Sequence, residues 1–139
     1  TISGGYMVAI GASATESALN ASRGAFTVTG GVFVGIGGGN STPAADAAAQ
    51  NIISARNVSA GLWTLRDASG NAVFSYHAPK QALLASSPLI VTGGSYSAVT
   101  GGALGSAGED FHGLAINPTT HTGGTAGRSV TISGRLTAM

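Results

Sequence analysis

Residues 1–12 read TISGGYMVAIGA, and residues 27–38 read TVTGGVFVGIGG. The two stretches are 26 residues apart and are identical at six of twelve positions. Both place β-branched and apolar residues, which favour strands, around a Gly-Gly pair that can adopt positive φ and turn a corner. We therefore interpret each copy as short strands that end at glycine corners.

A strand unit repeated at a period in the twenties is typical of solenoids. We predict that the chain is all-β and forms a right-handed parallel β-helix, as a single domain over residues 1–139. In this arrangement Val8 stacks on Val34, and Ile10 stacks on Ile36, on successive coils. The small side chains of the repeat suit the narrow interior of such a coil.

Residues 62–76 carry the strongest turn signal in the chain. Two alternating stretches flank a turn at residues 68–70 that ends on glycine, the residue that best adopts the left-handed conformation. We predict an antiparallel hairpin that projects from the β-helix or caps it. Alternation along the two strands then places Trp63 on the face opposite to Phe74 and Tyr76.

Composition excludes several classes of function. Charged residues make up 8 % of the chain and the net charge is +1, so no basic stripe is present to bind nucleic acid. The sequence has no cysteine, which excludes disulfides and thiolate chemistry, and no apolar run long enough to span a membrane. Few charges and many Ser, Thr and Gly favour a secreted or cell-surface protein. The chain begins inside the repeat, as a processed product does.

The sequence also lacks the usual motifs of enzymes. Its three histidines are scattered and have no cysteine partner, which argues against zinc. Neither a Gly-x-Ser-x-Gly elbow nor a Gly-Lys-Ser/Thr phosphate loop occurs. The five acidic residues are dispersed, whereas glycoside cleavage needs two carboxyls at a defined separation. We predict that the protein is not an enzyme and requires no cofactor; a polysaccharide lyase is the enzymatic alternative.

A series of motifs occurs in a fixed order along the chain. They are GGVFVGIG at 30–37, LRDASGNAVFSY at 65–76, APK at 78–80, LLASSP at 83–88, YSAVTGG at 96–102, HTGGT at 121–125 and SVTIS at 129–133. The series, over roughly residues 25–135, resembles the C-terminal part of a bacterial extracellular carbohydrate-binding domain family. This resemblance implies a right-handed parallel β-helix related in shape to pectate lyases. It also implies binding of cellulose or acidic plant polysaccharide at the cell surface, often with calcium and without catalysis.

Aromatic and acidic side chains are the candidate ligand contacts. Sugar rings lay their C–H faces on flat apolar plates, which makes Trp63, Tyr76 and Tyr96 candidate carbohydrate-binding residues. Glu109 and Asp110 form the only adjacent acidic pair. Calcium is bound by six to eight oxygens, usually including carboxylates, so this pair could begin a calcium site. The alternative reading of the pair is a solvated loop.

We predict a non-catalytic protein, secreted or at the cell surface, that binds plant-type polysaccharide. The alternative is a structural subunit that stacks head to tail on itself into an extracellular fibre. Open strand edges with few charges favour pairing with another chain, and a contact that does not close gives a filament. On this alternative, Ile2 near one end and Val130 and Ile132 near the other are the assembly edges.

Overall fold

Strands, joined by turns and loops, form all of the regular structure described in this chain. The computed structural model describes residues 1–13, 16–21, 24–38, 40–41, 43–44, 49–56, 58–79, 82–106, 108–118 and 120–139. The strands are β1 (Ile2–Ile10), β2 (Val28–Ile36), β3 (Ile52–Arg56), β4 (Gly61–Asp67), β5 (Ala72–Ala78), β6 (Ala82–Ser86), β7 (Ser95–Thr100), β8 (Ala103–Leu104), β9 (Glu109–Phe111), β10 (Leu114–Ile116), β11 (His121–Thr122), β12 (Thr125–Thr131) and β13 (Leu136–Ala138). Within these ranges, no helix has the length and apolar character needed to cross a bilayer.

The strands form three sheets. A five-stranded mixed sheet has the order β1-β2-β6-β3-β13, a six-stranded antiparallel sheet has the order β12-β7-β4-β5-β10-β9, and β11 pairs with β8. The chain is all-β, but the prediction of a right-handed parallel β-helix is wrong. Strand β6 runs antiparallel between β2 and β3, so the chain reverses direction where a β-helix would continue to coil. Among the described strands only the pairs β1–β2 and β3–β13 are parallel.

The two copies of the 26-residue repeat lie side by side as β1 and β2. They pair in parallel, with Val8 beside Val34 and Ile10 beside Ile36. This is the register that the repeat predicts, although the two strands are neighbours in one mixed sheet and not parts of successive coils. Sequence similarity between the copies therefore reports a strand pairing correctly while suggesting the wrong architecture.

The Gly-Gly pairs lie inside β1 and β2, not at corners. The register between the two strands shifts between Ser3 and Tyr6, which marks a β-bulge. Gly31 has a φ of 83°, and a Cβ at this position would overlap the carbonyl oxygen of Gly5. At Gly30 a Cβ would lie 2.7 Å from the carbonyl oxygen of Ser3. The glycines are needed because the two backbones approach closely at the bulge.

The inner faces of the two large sheets share one hydrophobic core. On β2, Val32, Val34 and Ile36 point into this core. Phe33 points to the other face of the five-stranded sheet, where it joins Ile52 in a second, smaller cluster. A strand covered on both faces is apolar at successive positions, as β2 is. Its place in the five-stranded sheet follows from this pattern.

The predicted hairpin forms from β4 and β5, and Gly70 in its turn has a φ of 85°. It does not project from the molecule but lies in the middle of the six-stranded sheet, between β7 and β10. Trp63 pairs with Tyr76 and Leu65 pairs with Phe74, so the rings share one face, with the Trp63 and Phe74 centroids 5.5 Å apart. The prediction that Trp63 faces away from the other two rings is wrong. A loop of residues 68–70 would pair Leu65 with Val73, but the observed partner of Leu65 is Phe74, and this shift of one residue reverses which side chains share a face.

Asp67 stabilises the turn of this hairpin. Its Oδ1 accepts hydrogen bonds from the backbone amides of Ser69 and Asn71, each at 2.9 Å, and its Oδ2 accepts one from Asn71 Nδ2 at 3.1 Å. Burial raises the pKa of Asp67, but these hydrogen bonds outweigh it and hold the pKa below its usual range. The ionised carboxylate therefore stabilises the fold above the pKa of the unfolded chain. That contribution is lost as the pH falls through the folded pKa.

Arg66 ties the small two-stranded sheet to β4. Its Nη2 donates to His121 Nδ1 and to the His121 carbonyl oxygen, the latter at 2.7 Å. His121 Nε2 lies 2.9 Å from the Gly101 carbonyl oxygen, which can only accept, so Nε2 carries the proton and Nδ1 is the acceptor. Arg66 Nε is buried without a hydrogen-bond partner in the described part of the chain.

The shared core predicts unequal stability costs at the paired positions 10 and 36. Ile36 is 0 % exposed, whereas its neighbour Ile10 is 47 % exposed. We expect Ile36→Ala to lower the free energy of unfolding by about 2–5 kcal/mol, since it leaves a cavity in the core. Ile10→Ala, the matched control, should cost less than about 1 kcal/mol because little buried area is lost. Urea denaturation measures the free energy of unfolding of both variants. Equal losses would contradict the finding that Ile36 is buried in the core and Ile10 is not.

Candidate functional site

The three aromatic residues predicted to bind sugar lie in the core. Trp63 is 1 % exposed and stacks near Phe74, and Tyr76 and Tyr96 are also buried. The Tyr96 hydroxyl donates to the Leu89 carbonyl oxygen at 2.6 Å and accepts from a backbone amide. All three side chains pack into the core that the two large sheets share, and even the most accessible of them, Tyr76, is only 8 % exposed. Sugar binding by these three residues stays a prediction, and their side chains leave little exposed surface for a ligand.

The acidic pair lies on β9, where both side chains are exposed. Asp110 Oδ1 accepts a hydrogen bond from the Gly113 amide at 3.2 Å. Glu109 Oε2 accepts one from the Tyr6 hydroxyl at 2.6 Å. Across the ranges that the structure describes, no group of three or more His, Cys, Asp or Glu side chains is arranged to hold a metal ion. Calcium binding therefore remains a prediction from the sequence.

The predicted assembly residues lie at or near sheet edges. Ile2 belongs to β1, an outer strand of the five-stranded sheet, and Val130 belongs to β12, an outer strand of the six-stranded sheet. Ile2 and Val130 are half-buried. Ile132 follows β12, and its side chain is buried in the shared core. The backbones of β1 and β12 are thus placed for edge pairing, whereas Ile132 has a packing role.

The aromatic surface of the protein lies elsewhere, between β1 and the β9–β10 hairpin. The rings of Tyr6 and Phe111 have centroids 5.8 Å apart, and those of Phe111 and His112 are 4.7 Å apart, edge to face. These rings line an open cavity of about 450 Å³. Its remaining lining residues are Met7, Val8, Ile10 and Tyr76. We call this cavity the aromatic cleft.

A two-residue turn positions Phe111 and His112. Strand β9 ends at Phe111 and β10 begins at Leu114, and the two pair with each other. Between them, His112 has a φ of 51° and Gly113 a φ of 83°. Two successive residues with positive φ are typical of the type I′ turn, which suits the twist of a hairpin. The turn is further held by the Asp110 side chain, so the ring pair sits on a defined support.

The hydrogen bond between Tyr6 and Glu109 connects the two large sheets at the cleft. Glu109 and Phe111 are two residues apart on β9, so their side chains lie on the same face of the strand, the face that meets Tyr6. The hydrogen bond to Glu109 raises the pKa of Tyr6, and burial and the carboxylate charge raise it further. The cleft thus combines ring faces with a carboxylate whose remaining lone pairs accept hydrogen bonds from solvent or ligand.

Reasoning from the sequence missed this cleft because its parts lie 103 residues apart. One local signal was present: His-Gly stands between the apolar-ended segments 109–111 and 114–116, a pattern typical of a tight hairpin turn. Nothing in the sequence pairs that turn with Tyr6. The contact depends on how the two sheets pack.

No protein-family model, curated protein or solved structure matches this chain. The resemblance to a carbohydrate-binding family, which rests on the ordered motifs, therefore stays a prediction.

The Tyr6–Glu109 contact predicts a specific titration behaviour. Glu109→Ala removes the acceptor and its charge, so we expect the pKa of Tyr6 to fall toward the ordinary tyrosine value. Asp110→Ala, the matched control, removes the neighbouring carboxylate, which has no hydrogen bond to Tyr6. It should leave the Tyr6 titration nearly unchanged. NMR titration of the tyrosine ring carbons resolves the three tyrosines, and an unshifted Tyr6 in Glu109→Ala would show that the contact does not form in solution.

Proposed function

We propose that the protein is a non-catalytic carbohydrate-binding protein whose ligand lies in the aromatic cleft. The observation that carries the proposal is the surface cluster of Tyr6, Phe111 and His112 rings beside the Glu109 carboxylate. Ligand sites are commonly apolar and aromatic clefts of about 300–1,000 Å³ with a few placed polar groups. The aromatic cleft, at about 450 Å³, has this size and composition. Ring faces accept sugar C–H groups, and the carboxylate accepts sugar hydroxyls.

The charge of the cleft favours a neutral polysaccharide over an acidic one. Glu109 is exposed on β9, on the face of that strand that meets Tyr6, so its carboxylate lies beside the cleft. A uronic acid carries a carboxylate of its own, and like charges at close range repel. Of the two ligands that the resemblance implies, cellulose and acidic plant polysaccharide such as pectin, the cleft is therefore better suited to cellulose.

The proposal is for binding without catalysis. Glu109 and Asp110 are neighbours on one strand, so their side chains point to opposite faces. Glycosidases need two carboxyls that face each other across the scissile bond. Binding to plant-type polysaccharide outside the cell also accords with the low charge and the Ser-, Thr- and Gly-rich composition, and we propose a secreted or cell-surface location on that basis.

The test is depletion of the protein by insoluble cellulose, followed by calorimetric titration with cello-oligosaccharides and with polygalacturonate. We expect the wild type to bind cellulose and the neutral oligosaccharide more tightly than the acidic polymer. Phe111→Leu keeps an apolar side chain but removes the ring, and it should weaken binding about tenfold, a loss of about 1.4 kcal/mol. No depletion by any polysaccharide, or tighter binding of the acidic polymer, would count against the proposed site and ligand.

Leu89→Ala is the matched control for Phe111→Leu. Leu89 is a large apolar residue at the surface, 50 % exposed, and it does not line the aromatic cleft. Its substitution should leave binding unchanged. Equal losses in the two variants would mean that binding depends on general surface apolarity and not on the cleft.

A second candidate function is self-assembly through β1. Within the described structure β1 pairs with β2 alone, so its outer edge has no strand partner there. The nine residues of β1 include no charged residue and no proline, the features by which edge strands normally resist pairing with another chain. A second copy that adds a strand at this edge would extend the five-stranded sheet.

Sedimentation velocity over a range of concentrations tests self-assembly. We expect wild-type protein to form larger species as its concentration rises, with little dependence on salt because the contact contains few charges. Ile2→Lys should reduce this association by placing a charge in the edge strand. Ala68→Lys adds the same charge at the exposed tip of the β4–β5 hairpin and should have no effect. A monomer at every concentration would remove this candidate.

A further inference from the structure

A second cavity, of about 260 Å³, lies where β3 and the connection to β4 meet the six-stranded sheet. It shares no lining residue with the aromatic cleft. The cavity is lined by Arg56 at the end of β3 and by Arg128 on β12. Its other lining residues include Trp63, Val58 and Met139. We call it the arginine cavity.

Two arginine side chains give the arginine cavity a positive charge, and no described acidic residue lies on its wall to balance it. Arg56 and Arg128 are both exposed, and neither forms an ion pair or hydrogen bond with its side chain within the described ranges. The described acidic residues Glu16, Asp67, Glu109 and Asp110 all lie outside the cavity wall. Arginine stays protonated at any pH at which the protein is folded, so the two charges are permanent.

The other two described arginines have hydrogen-bond partners. Arg66 donates to His121, and Arg135 Nη1 donates to Asn51 Oδ1 at 3.4 Å. In a chain with only six Lys and Arg residues, two unpaired guanidinium groups beside one cavity are a large share of the positive charge. This placement distinguishes the arginine cavity from an ordinary solvated surface.

The inner wall of the arginine cavity is apolar. Trp63, Val58 and Met139 are all buried, as is Ala98 on the neighbouring strand β7. A cavity of about 150 Å³ lined by apolar side chains already accommodates benzene. The arginine cavity is larger, so it has room for one aromatic ring together with a charged substituent.

We propose that the arginine cavity binds a small organic anion, an apolar group that carries one carboxylate. The apolar group lies against the Trp63 side of the cavity, and the carboxylate lies between Arg56 and Arg128. Planar guanidinium groups match carboxylate geometry and lose less on desolvation than lysine ammonium groups. The apolar wall favours the remainder of the ligand through burial. This site is independent of carbohydrate binding at the aromatic cleft.

Trp63 is the only tryptophan of the chain, so intrinsic fluorescence reports directly on the arginine cavity. The experiment titrates the protein with phenylacetate, with its neutral analogue phenylacetamide and with acetate, which lacks the ring. We expect a saturable fluorescence change with phenylacetate and at least about tenfold weaker binding of each of the other two. Equal binding of phenylacetamide would refute the role of the arginines, and equal binding of acetate would refute the role of the apolar wall.

Substitutions separate the cavity from general charge effects. The double variant Arg56→Gln/Arg128→Gln should bind phenylacetate about tenfold or more weakly and lose the preference over phenylacetamide. Arg135→Gln removes the same type of charge outside the cavity wall and should bind phenylacetate as the wild type does. Urea denaturation without ligand verifies that each variant is folded. A folded double variant that still prefers the carboxylate, or a wild type without saturable binding, would overturn the proposal.

Discussion

Burial of one apolar layer between the two large sheets is the interaction on which the rest of the structure depends. The chain has few bulky side chains, with aromatic residues at only 6 %, and most of them are gathered in or beside this layer. Val34 and Ile36 enter it from the five-stranded sheet, and Trp63, Leu65 and Phe74 enter it from the six-stranded sheet. Because apolar burial is the main favourable contribution to folding, a chain this poor in large residues cannot place many of them elsewhere. The aromatic cleft and the arginine cavity both lie where this layer reaches the surface.

The sequence was informative about local structure and about pairings between similar segments. The repeat predicted that Val8 lies beside Val34, and the turn chemistry predicted the hairpin around Gly70. The architecture was not predictable in the same way. It depends on β6, an antiparallel strand between β2 and β3 that has no resemblance to either, and no periodicity indicates where such a strand will pair. A repeat shows which segments are alike, but not what lies between them in a sheet.

For the candidate site, the sequence predicted the type of side chain but not which residues form it. Aromatic rings were expected to contact sugar, but the rings chosen were Trp63, Tyr76 and Tyr96, all of which the core requires. A one-residue difference in hairpin register places Trp63 on the same face as Phe74 and Tyr76 and not on the opposite one. The rings at the surface, Tyr6 and Phe111, are half-buried, come from distant parts of the chain and meet only through sheet packing. Residue type limits what a surface can bind, and tertiary packing decides which residues form it.

The pairing of β13 with β3 has a consequence for the order in which the protein folds. The β4–β5 hairpin joins neighbouring segments and can form within microseconds. By contrast, the contact between Arg135 and Asn51 beside the β13–β3 pair closes 84 residues of chain. Closing so long a loop costs entropy before any burial compensates it, and sheets built from distant strands fold in milliseconds to seconds. We expect the six-stranded sheet to assemble around its central hairpin first, and β13 to join the five-stranded sheet last.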